Sequence, residues 1–382
     1  MTTNTNQSFV AWYFNVFTQT PLFEAMNQCV EGSKWHREKN VGVHTNMVVG
    51  EYLSRCGGMW SKADLLGAIA CAFHDTGKPV ARQEKFSEQR GQYFSFSGHE
   101  IASARLWEDW VATNWSTVSP VLGLEVDDIF RVSWMIEHHR PWGLKHADKR
   151  RNLFLTAVNV CGLTPFTRML KADNWGRIGD TQAENQAQVE SWIAEFNEMV
   201  HQVPMDVWED TDHLPQHIHD TEAPTLYVAI GVSGTGKSTF LSTIKEEVGH
   251  DVLHYSWDNL RLEFYGTDDY SEAFKASCDD KGFGNRVNKV FTDMAATKQD
   301  IYVDNINLSA KRRRFFLDQA RRNGYHCVAV VAPTPLQTVI DRQQTRTDKT
   351  LHRDIVERQY SQLQQPQFGE FDEIIVRQQN LR

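Results

Sequence analysis

Nine residues, Gly231-Val232-Ser233-Gly234-Thr235-Gly236-Lys237-Ser238-Thr239, constrain this chain more than any other stretch. They satisfy the pattern G-x-x-x-x-G-K-[ST] in full, and their flanks supply the context the pattern needs. The preceding run, Thr225–Ile230, is short, apolar and partly β-branched, and predicts a buried strand. The following run, Ser238–Val248, has helical spacing. A strand that turns through glycines into a helix aims backbone N–H groups inward and adds the positive end of the helix, which suits phosphate oxygens. In this reading Gly231, Ser233, Gly234, Thr235, Gly236 and Thr239 line a bound NTP (ATP or GTP). Lys237 reaches its β/γ-phosphates and Ser238 holds Mg²⁺.

Strand and helix patterns alternate after the loop. Val252–Ser256, Asp300–Asp304, Cys327–Ala332 and Glu373–Val376 read as strands, with helical segments between them. This predicts a doubly wound parallel α/β sheet with ligands at the strand C-terminal ends. Asp258 and Arg261 follow the second strand in SWDNLR, and Asp304 and Asn307 follow the third in VDNINL. A carboxylate near an acceptor hydroxyl orients it and takes its proton. Asp258 has a second reading as the N-cap of the helix containing Leu260–Phe264. Arg342 and Arg346 lie further on, in DRQQTR. Lys311-Arg312-Arg313-Arg314, with Arg321-Arg322, is the strongest basic cluster in a chain of net charge −9. It reads either as a solvated helix face or as a track for a phosphate backbone. Phe283, Tyr265 and Tyr270 are candidates for stacking on bases or for the core.

The N-terminal half predicts an all-α bundle. Phe9–Phe17 is dense in aromatic residues, and Ser61 is a candidate N-cap for a helix running to Phe73. Glu100–Asn114, Val126–Glu137, Leu153–Leu170 and Gln182–Val200 are also helical, and no strand alternation stands out. The histidines carry the signal: of fifteen in the chain, seven lie between His36 and His146. His44 sits in GVHTNMVV, His74-Asp75 in HDTGK, His99 in SGHE, His138-His139 in EHHRPW and Asp173 in KADNWGR, each near a predicted helix end. Imidazoles and carboxylates projected from several helices into one bundle can hold divalent transition metals such as Mn, Co, Ni, Zn or Fe. A lone histidine in a helix is ordinarily structural, as is expected of His36 and His146; the ordered set argues otherwise.

Asp206–Glu222 has six acidic residues, three histidines and one proline. It predicts a solvated acidic linker between domains 1–205 and 223–382. The six scattered cysteines, without a C-x-x-C pair, read as reduced thiols. Met1–Ser8 reads as neither a signal nor a transit peptide, and no apolar run approaches the ~20 residues of a membrane span. These features predict a cytoplasmic chain without a membrane partner. The negative net charge excludes a generic polyanion binder, so any nucleic-acid contact must be local.

Two family resemblances rest on these motifs. The set His44, His74-Asp75, His99, His138, Asp173, with HDTGK at its centre, resembles the HD-domain metal-dependent phosphohydrolases over roughly residues 30–200. The resemblance implies one metal on His44, His74, Asp75 and Asp173. Asp75 would bridge to a second metal on His99 and His138, with His139 an open alternative. Lys78, and also Arg177, would contact the scissile phosphate. The second half is similar to the kinase domain of phage-type 5′-OH polynucleotide kinases. That similarity implies Asp258 as general base, Arg261 on the acceptor's 3′-phosphate, Asp304 and Asn307 beside the acceptor end, and Arg346, supported by Arg342, as lid arginines on the donor phosphates. Arg312 and Arg313 would meet the polynucleotide. Asp304 has an equal claim to a Walker-B-like role beside Mg²⁺.

Together the two halves look like the bacterial and phage HD-domain/kinase end-healing enzymes of RNA repair. The resemblance implies 5′-phosphorylation of RNA, or DNA, ends and removal of a 2′,3′-cyclic, 2′- or 3′-phosphate, with a separate RNA ligase to seal. The alternatives are a nucleotide-metabolism enzyme joining an HD nucleotidase to a small-molecule kinase, and an HD hydrolase regulated by an NTP-sensing loop.

Overall fold

A computed structural model describes residues 5–31, 37–58, 60–88, 91–141, 144–200, 223–346, 350–366 and 370–377. The chain divides into two compact units, Met1–Pro215 and Gln216–Arg382. The acidic segment 206–222 and His36 lie outside the described residues.

The N-terminal unit is built on the helix Lys62–Phe73, in which every residue from Leu65 to Phe73 is buried. A helix apolar on all sides must be surrounded, and Val41–Ser54, Val126–Glu137 and Leu163–Trp175 pack around this one. Its start is set by a capping box. Ser61 Oγ accepts from Asp64 N, and the Asp64 side chain accepts from Ser61 N at 3.0 Å, an arrangement in which the cap alone contributes about 1 kcal/mol. Phe73 ends it inside an aromatic cluster, 4.6 Å from Phe17 and 5.0 Å from Trp107 between ring centroids. Phe9, Trp12 and Tyr13 of the helix Thr5–Asn15 complete that core.

Two sequence expectations give way here. Leu153–Leu170 is two helices, Ala147–Val160 and Leu163–Trp175, broken where Gly162 takes φ +81°. An antiparallel hairpin, β1 (Gln83–Ser87) and β2 (Gly91–Ser95), joins the HDTGK turn to the helix His99–Thr113. β1 is polar and exposed along almost its whole length, so it shows no apolar alternation.

The C-terminal unit is a parallel five-stranded sheet of order β4-β5-β3-β6-β7. Its strands are β3 (Thr225–Ile230), β4 (Leu253–Tyr255), β5 (Ile301–Val303), β6 (His326–Val331) and β7 (Glu373–Val376). β3 is buried at every position, as a central strand covered on both faces requires. Phe240 and Ile244 of the helix Lys237–Val248 pack with Tyr302 and Val328 on one cluster. Val232, Leu308, Val339 and Tyr360 form another.

Candidate functional site

In the C-terminal unit the glycine loop leaves β3 and enters the helix Lys237–Val248, with Gly236 at φ +89° as its N-cap. Lys237 Nζ donates to Val232 O at 2.7 Å, and Thr235 Oγ1 donates to the same carbonyl at 3.1 Å. The loop is also held from outside. Gln343 Nε2 donates to Ser233 O at 2.9 Å, Ser233 N donates to Gln359 Oε1 at 3.0 Å, and Arg342 Nη1 donates to Gly234 O at 3.1 Å. Gly234 has φ +99°, and a Cβ there would lie 2.6 Å from Gln343 Nε2, so a glycine is needed for both conformation and space. Arg342 carries a signal in the sequence, whereas Gln343 and Gln359, whose role depends on helices far along the chain, carry none. Arg346 caps the C-terminal end of the same helix, Leu336–Thr345.

Asp304 lies past the end of β5. Burial raises its pKa, but hydrogen bonds from His254 and Ser238 and the Lys237 charge outweigh that and hold it below its ordinary value. His254 Nε2 is 3.3 Å from Asp304 Oδ2. The Ser238 contact sets Asp304 beside the first turn of the helix that follows the loop.

Asp258 lies past β4, on the first turn of the helix Trp257–Tyr265. Ser256, not Asp258, caps that helix, so the carboxylate is left for side-chain partners. Arg261 Nη1 donates to Asp258 Oδ1 at 2.7 Å, and Tyr270 Oη donates to it at 3.0 Å. The loop, Asp304 and Asp258 thus follow the C-terminal ends of the neighbouring strands β3, β5 and β4, where an open parallel sheet places ligands.

Two expected contacts of the acceptor take other places, and one of the aromatic candidates falls to the core. Asn307 is buried at φ +45°, and its Nδ2 donates to Ala229 O at 2.7 Å, tying the segment after β5 to β3. Arg313 has no exposed surface. Its Nε and Nη2 donate to the two Glu370 oxygens at 2.7 Å each, and its remaining donors meet the carbonyls of Asn307, Gln364 and Gln365. The apolar face of the helix Ala310–Arg322 turns Arg313 inward and leaves Lys311, Arg312 and Arg314 exposed. Phe283 is a core residue, stacked against Tyr265.

In the N-terminal unit five elements bring the histidines and aspartates together. His44 comes from the helix Val41–Ser54, and His74 and Asp75 from the end of Lys62–Phe73. His99 is the first residue of its helix, His139 follows Val126–Glu137, and Asp173 comes from Leu163–Trp175. All six are buried. Each imidazole has its Nδ1 on a backbone carbonyl: His44 on Gly176, His74 on Cys71, His99 on Phe96 and His139 on Ile136, at 2.7–3.0 Å. These partners assign the proton to Nδ1 and turn the Nε2 lone pairs toward the carboxylates. His44 Nε2 is 3.4 Å and His74 Nε2 3.2 Å from Asp75 Oδ2, while His99 Nε2 is 3.2 Å and His139 Nε2 3.7 Å from Asp75 Oδ1. Asp173 Oδ1 is 3.2 Å from His44 Nε2.

Two metal-sized groups of donors result, His44–His74–Asp75 and Asp75–His99–His139, sharing Asp75. His139 takes the place expected for His138. The His138 ring stacks on Trp134 at 4.5 Å and its Nδ1 donates to Trp134 O at 2.8 Å, outside the cluster. Helical rotation between adjacent residues allows only one of the pair to face inward.

The electrostatics favour a cation. Burial raises the Asp75 pKa, but His74, Lys78 and His99 hold it well below the usual range, and Asp173 is lowered likewise by His44 and His74. Burial pushes His139 far down, keeping it neutral. Burial lowers His44 too, but Asp173 and Glu38 reverse this and bring it to about 10. Without a metal the carboxylates thus draw a proton onto His44, which a metal would displace. Asp75 Oδ1 and His99 Nε2 are buried without a well-formed hydrogen bond, and Asp75 Oδ2 meets the Lys78 ammonium at 2.8 Å. Orphaned acceptors arranged this way fit a divalent ion coordinated by imidazole nitrogen and carboxylate oxygen.

Lys78 is buried, with Nζ 2.8 Å from Asp75 Oδ2 and paired with Glu31. Gly77 lets the turn lie against the helix His99–Thr113, since a Cβ there would sit 2.4 Å from His99 O. Arg177 donates to Asn174 Oδ1. Glu31 and Glu38 (the latter 3.3 Å from His44 Nδ1) had no signal in the sequence, being isolated acids outside any motif.

The family model described as "AAA domain" matches residues 226–367, less than half of the chain. No curated protein matches the chain. Among solved structures, a gluconokinase from Sinorhizobium meliloti 1021 is 19% identical, covering 40% of this chain and 82% of its own, at a TM-score of 0.29. A structure from the PezAT chromosomal toxin-antitoxin system of Streptococcus pneumoniae is 16% identical, with coverages of 41% and 68% and a TM-score of 0.29. The tunicamycin resistance protein of Deinococcus radiodurans is 14% identical, with coverages of 40% and 86% and a TM-score of 0.27. The first unit is helix-rich, and the parallel five-stranded sheet with the glycine loop after β3 gives the second unit a P-loop fold. Among the described residues no single helix is long and apolar enough to cross a membrane.

Proposed function

We propose that this chain heals broken nucleic-acid ends, RNA in preference to DNA, with a 5′-hydroxyl kinase in its second unit and an HD-type phosphohydrolase in its first. The observation that supports this reading is the pairing, in one chain, of a strand-end carboxylate held by a guanidinium beside a phosphate loop with a buried cluster of Nε2 atoms around Asp75. A break with a 5′-OH and a 2′,3′-cyclic phosphate cannot be joined directly, and these two chemistries make it joinable by a separate ligase.

On the kinase side, the loop amides and Lys237 hold the NTP phosphates, with Lys237 leaving Val232 O to do so. Ser238 and Asp304 hold Mg²⁺, and Arg342 and Arg346 neutralise the donor. Asp258 takes the proton of the 5′-hydroxyl, and Arg261 meets the acceptor's phosphate. Positioning and charge neutralisation are most of what phosphoryl transfer asks of a protein. Exposed Lys311, Arg312 and Arg314 offer a backbone track.

On the phosphohydrolase side, His44, His74, Asp75 and Asp173 would hold one divalent ion, and Asp75, His99 and His139 a second. A bound pair polarises phosphoryl oxygens and supplies hydroxide at neutral pH. Lys78 orients Asp75 and offers positive charge to the leaving phosphate.

The test is a gel assay on a short RNA with a 5′-OH and a 2′,3′-cyclic phosphate, incubated with ATP, Mg²⁺ and Mn²⁺. Wild type is expected to convert both ends, Lys237→Ala only the 3′ end and Asp75→Ala only the 5′ end. Phosphorylation of free nucleosides with both RNA ends untouched would refute end healing in favour of nucleotide metabolism. NTP binding without any acceptor product would point to a sensor.

A further inference from the structure

Asp258 is 42% exposed at its side chain and sits on a helix's first turn. A carboxylate in that position ordinarily samples several rotamers, yet a general base must hold one orientation toward the hydroxyl it deprotonates. Arg261, three residues on, supplies one restraint from the same helix. Another comes from a different helix, Tyr270–Asp279, whose first residue donates its phenol O–H to the same Oδ1 at 3.0 Å.

Tyr270 is itself well fixed. Asp269 caps its helix, accepting from Ser271 N at 2.8 Å and Glu272 N at 3.2 Å, which sets where the helix begins. One turn on, Phe274 stacks on the Tyr270 ring at 6.0 Å and 29°. The same helix also steadies the first donor: Arg261 Nε donates to Ser277 Oγ at 3.0 Å, and its guanidinium lies 5.2 Å from the Phe274 ring centroid. One short helix thus holds the carboxylate directly through Tyr270 and indirectly through Ser277 and Arg261.

We propose that Tyr270 is the positioning residue for the acceptor-side base, setting the plane of the Asp258 carboxylate for proton transfer. This rests on the reading of Asp258 as the base but not on the acceptor being RNA. In the transfer the acceptor O–H bond breaks and its proton goes to Asp258. The acceptor oxygen forms a bond to the γ-phosphorus of the NTP, and the bond from that phosphorus to the β–γ bridging oxygen breaks, its electron pair leaving on the nucleoside diphosphate. The Tyr270 proton is not transferred; its O–H continues to donate to Oδ1 throughout.

The experiment is steady-state kinetics of the full chain with ATP, Mg²⁺ and two acceptors, a short 5′-OH RNA and a nucleoside 3′-monophosphate. The variants are Tyr270→Phe, Asp258→Asn and their double, each with a thermal melt. Tyr270→Phe keeps the ring and its stack on Phe274 and loses only the O–H. It is expected to lower kcat roughly tenfold to a hundredfold, the scale of a misplaced catalytic group. KM for ATP and for both acceptors should be unchanged, as should the melting temperature. Adding it to Asp258→Asn should cost nothing further. An unchanged kcat, a raised acceptor KM at unchanged kcat, a fall in melting temperature that accounts for the loss, or full additivity in the double variant would each overturn the proposal. Asp258→Asn at the wild-type rate, or a wild type that phosphorylates neither acceptor, refutes the base reading and takes the proposal with it. An inactive Asp258→Asn beside an unaffected Tyr270→Phe refutes the role of Tyr270 alone.

Discussion

Arg313→Ala separates a structural arginine from a nucleic-acid contact. The guanidinium is wholly buried and donates to both Glu370 oxygens at 2.7 Å, to Asn307 O at 2.9 Å, to Gln364 O at 3.0 Å and to Gln365 O at 3.3 Å. Truncation leaves the mostly buried Glu370 carboxylate without this counter-ion and takes a donor away from three carbonyls. Removing one partner of a buried pair costs about 3–5 kcal/mol. For a unit of this size each kcal/mol lowers the melting temperature by roughly 2–4 °C, so the C-terminal transition should fall by about 6–20 °C. Arg312→Ala, next in sequence but exposed, should stay within about 0.5 kcal/mol of wild type while weakening RNA binding in a salt-dependent way. Differential scanning calorimetry and urea titration read the stability, and fluorescence anisotropy with a short RNA reads the binding. An Arg313→Ala protein with wild-type stability and weakened RNA affinity would refute the assignment of this side chain to the interior.

Three further outcomes follow from the geometry. After Mn²⁺ loading and desalting, His139→Ala should lose bound metal by mass spectrometry while His138→Ala keeps it; equal loss from both would contradict the placement of the two rings. Gly234→Ala forces a β-carbon into a φ of +99°, 2.6 Å from Gln343 Nε2. At about 1–3 kcal/mol of backbone strain it should weaken NTP binding about tenfold by calorimetry, and unchanged binding would show that the loop can relax. Asp304 has a folded pKa held below its ordinary 3.8, so its contribution to stability is present above that value and lost as pH falls through the lowered one. Asp304→Asn should therefore flatten the stability profile below about pH 4, and parallel wild-type and variant profiles in acid would remove the basis for that shift.

What the sequence by itself determined is local. The glycine loop, its strand and its helix need only neighbours along the chain, and the structure has them at Thr225–Ile230 and Lys237–Val248. The Ser61 cap, and helices such as Val126–Glu137 whose apolar face has a full-length period, were legible for the same reason. The hairpin strands Gln83–Ser87 and Gly91–Ser95 were not, because the first of them is exposed almost throughout and leaves no alternation. Which charged residues face inward is a tertiary decision. Lys311, Arg312, Arg313 and Arg314 are chemically alike in the sequence, and only the rotation of their helix against the segment carrying Glu370 sends Arg313 into the core. The same holds for His138 and His139, adjacent and equivalent until the end of one helix meets Asp75. It holds also for Glu31, Glu38, Tyr270, Gln343 and Gln359, whose partners lie on other elements. A motif records which chemistry the chain carries, whereas the direction of a side chain depends on surfaces brought together from distant parts of the chain.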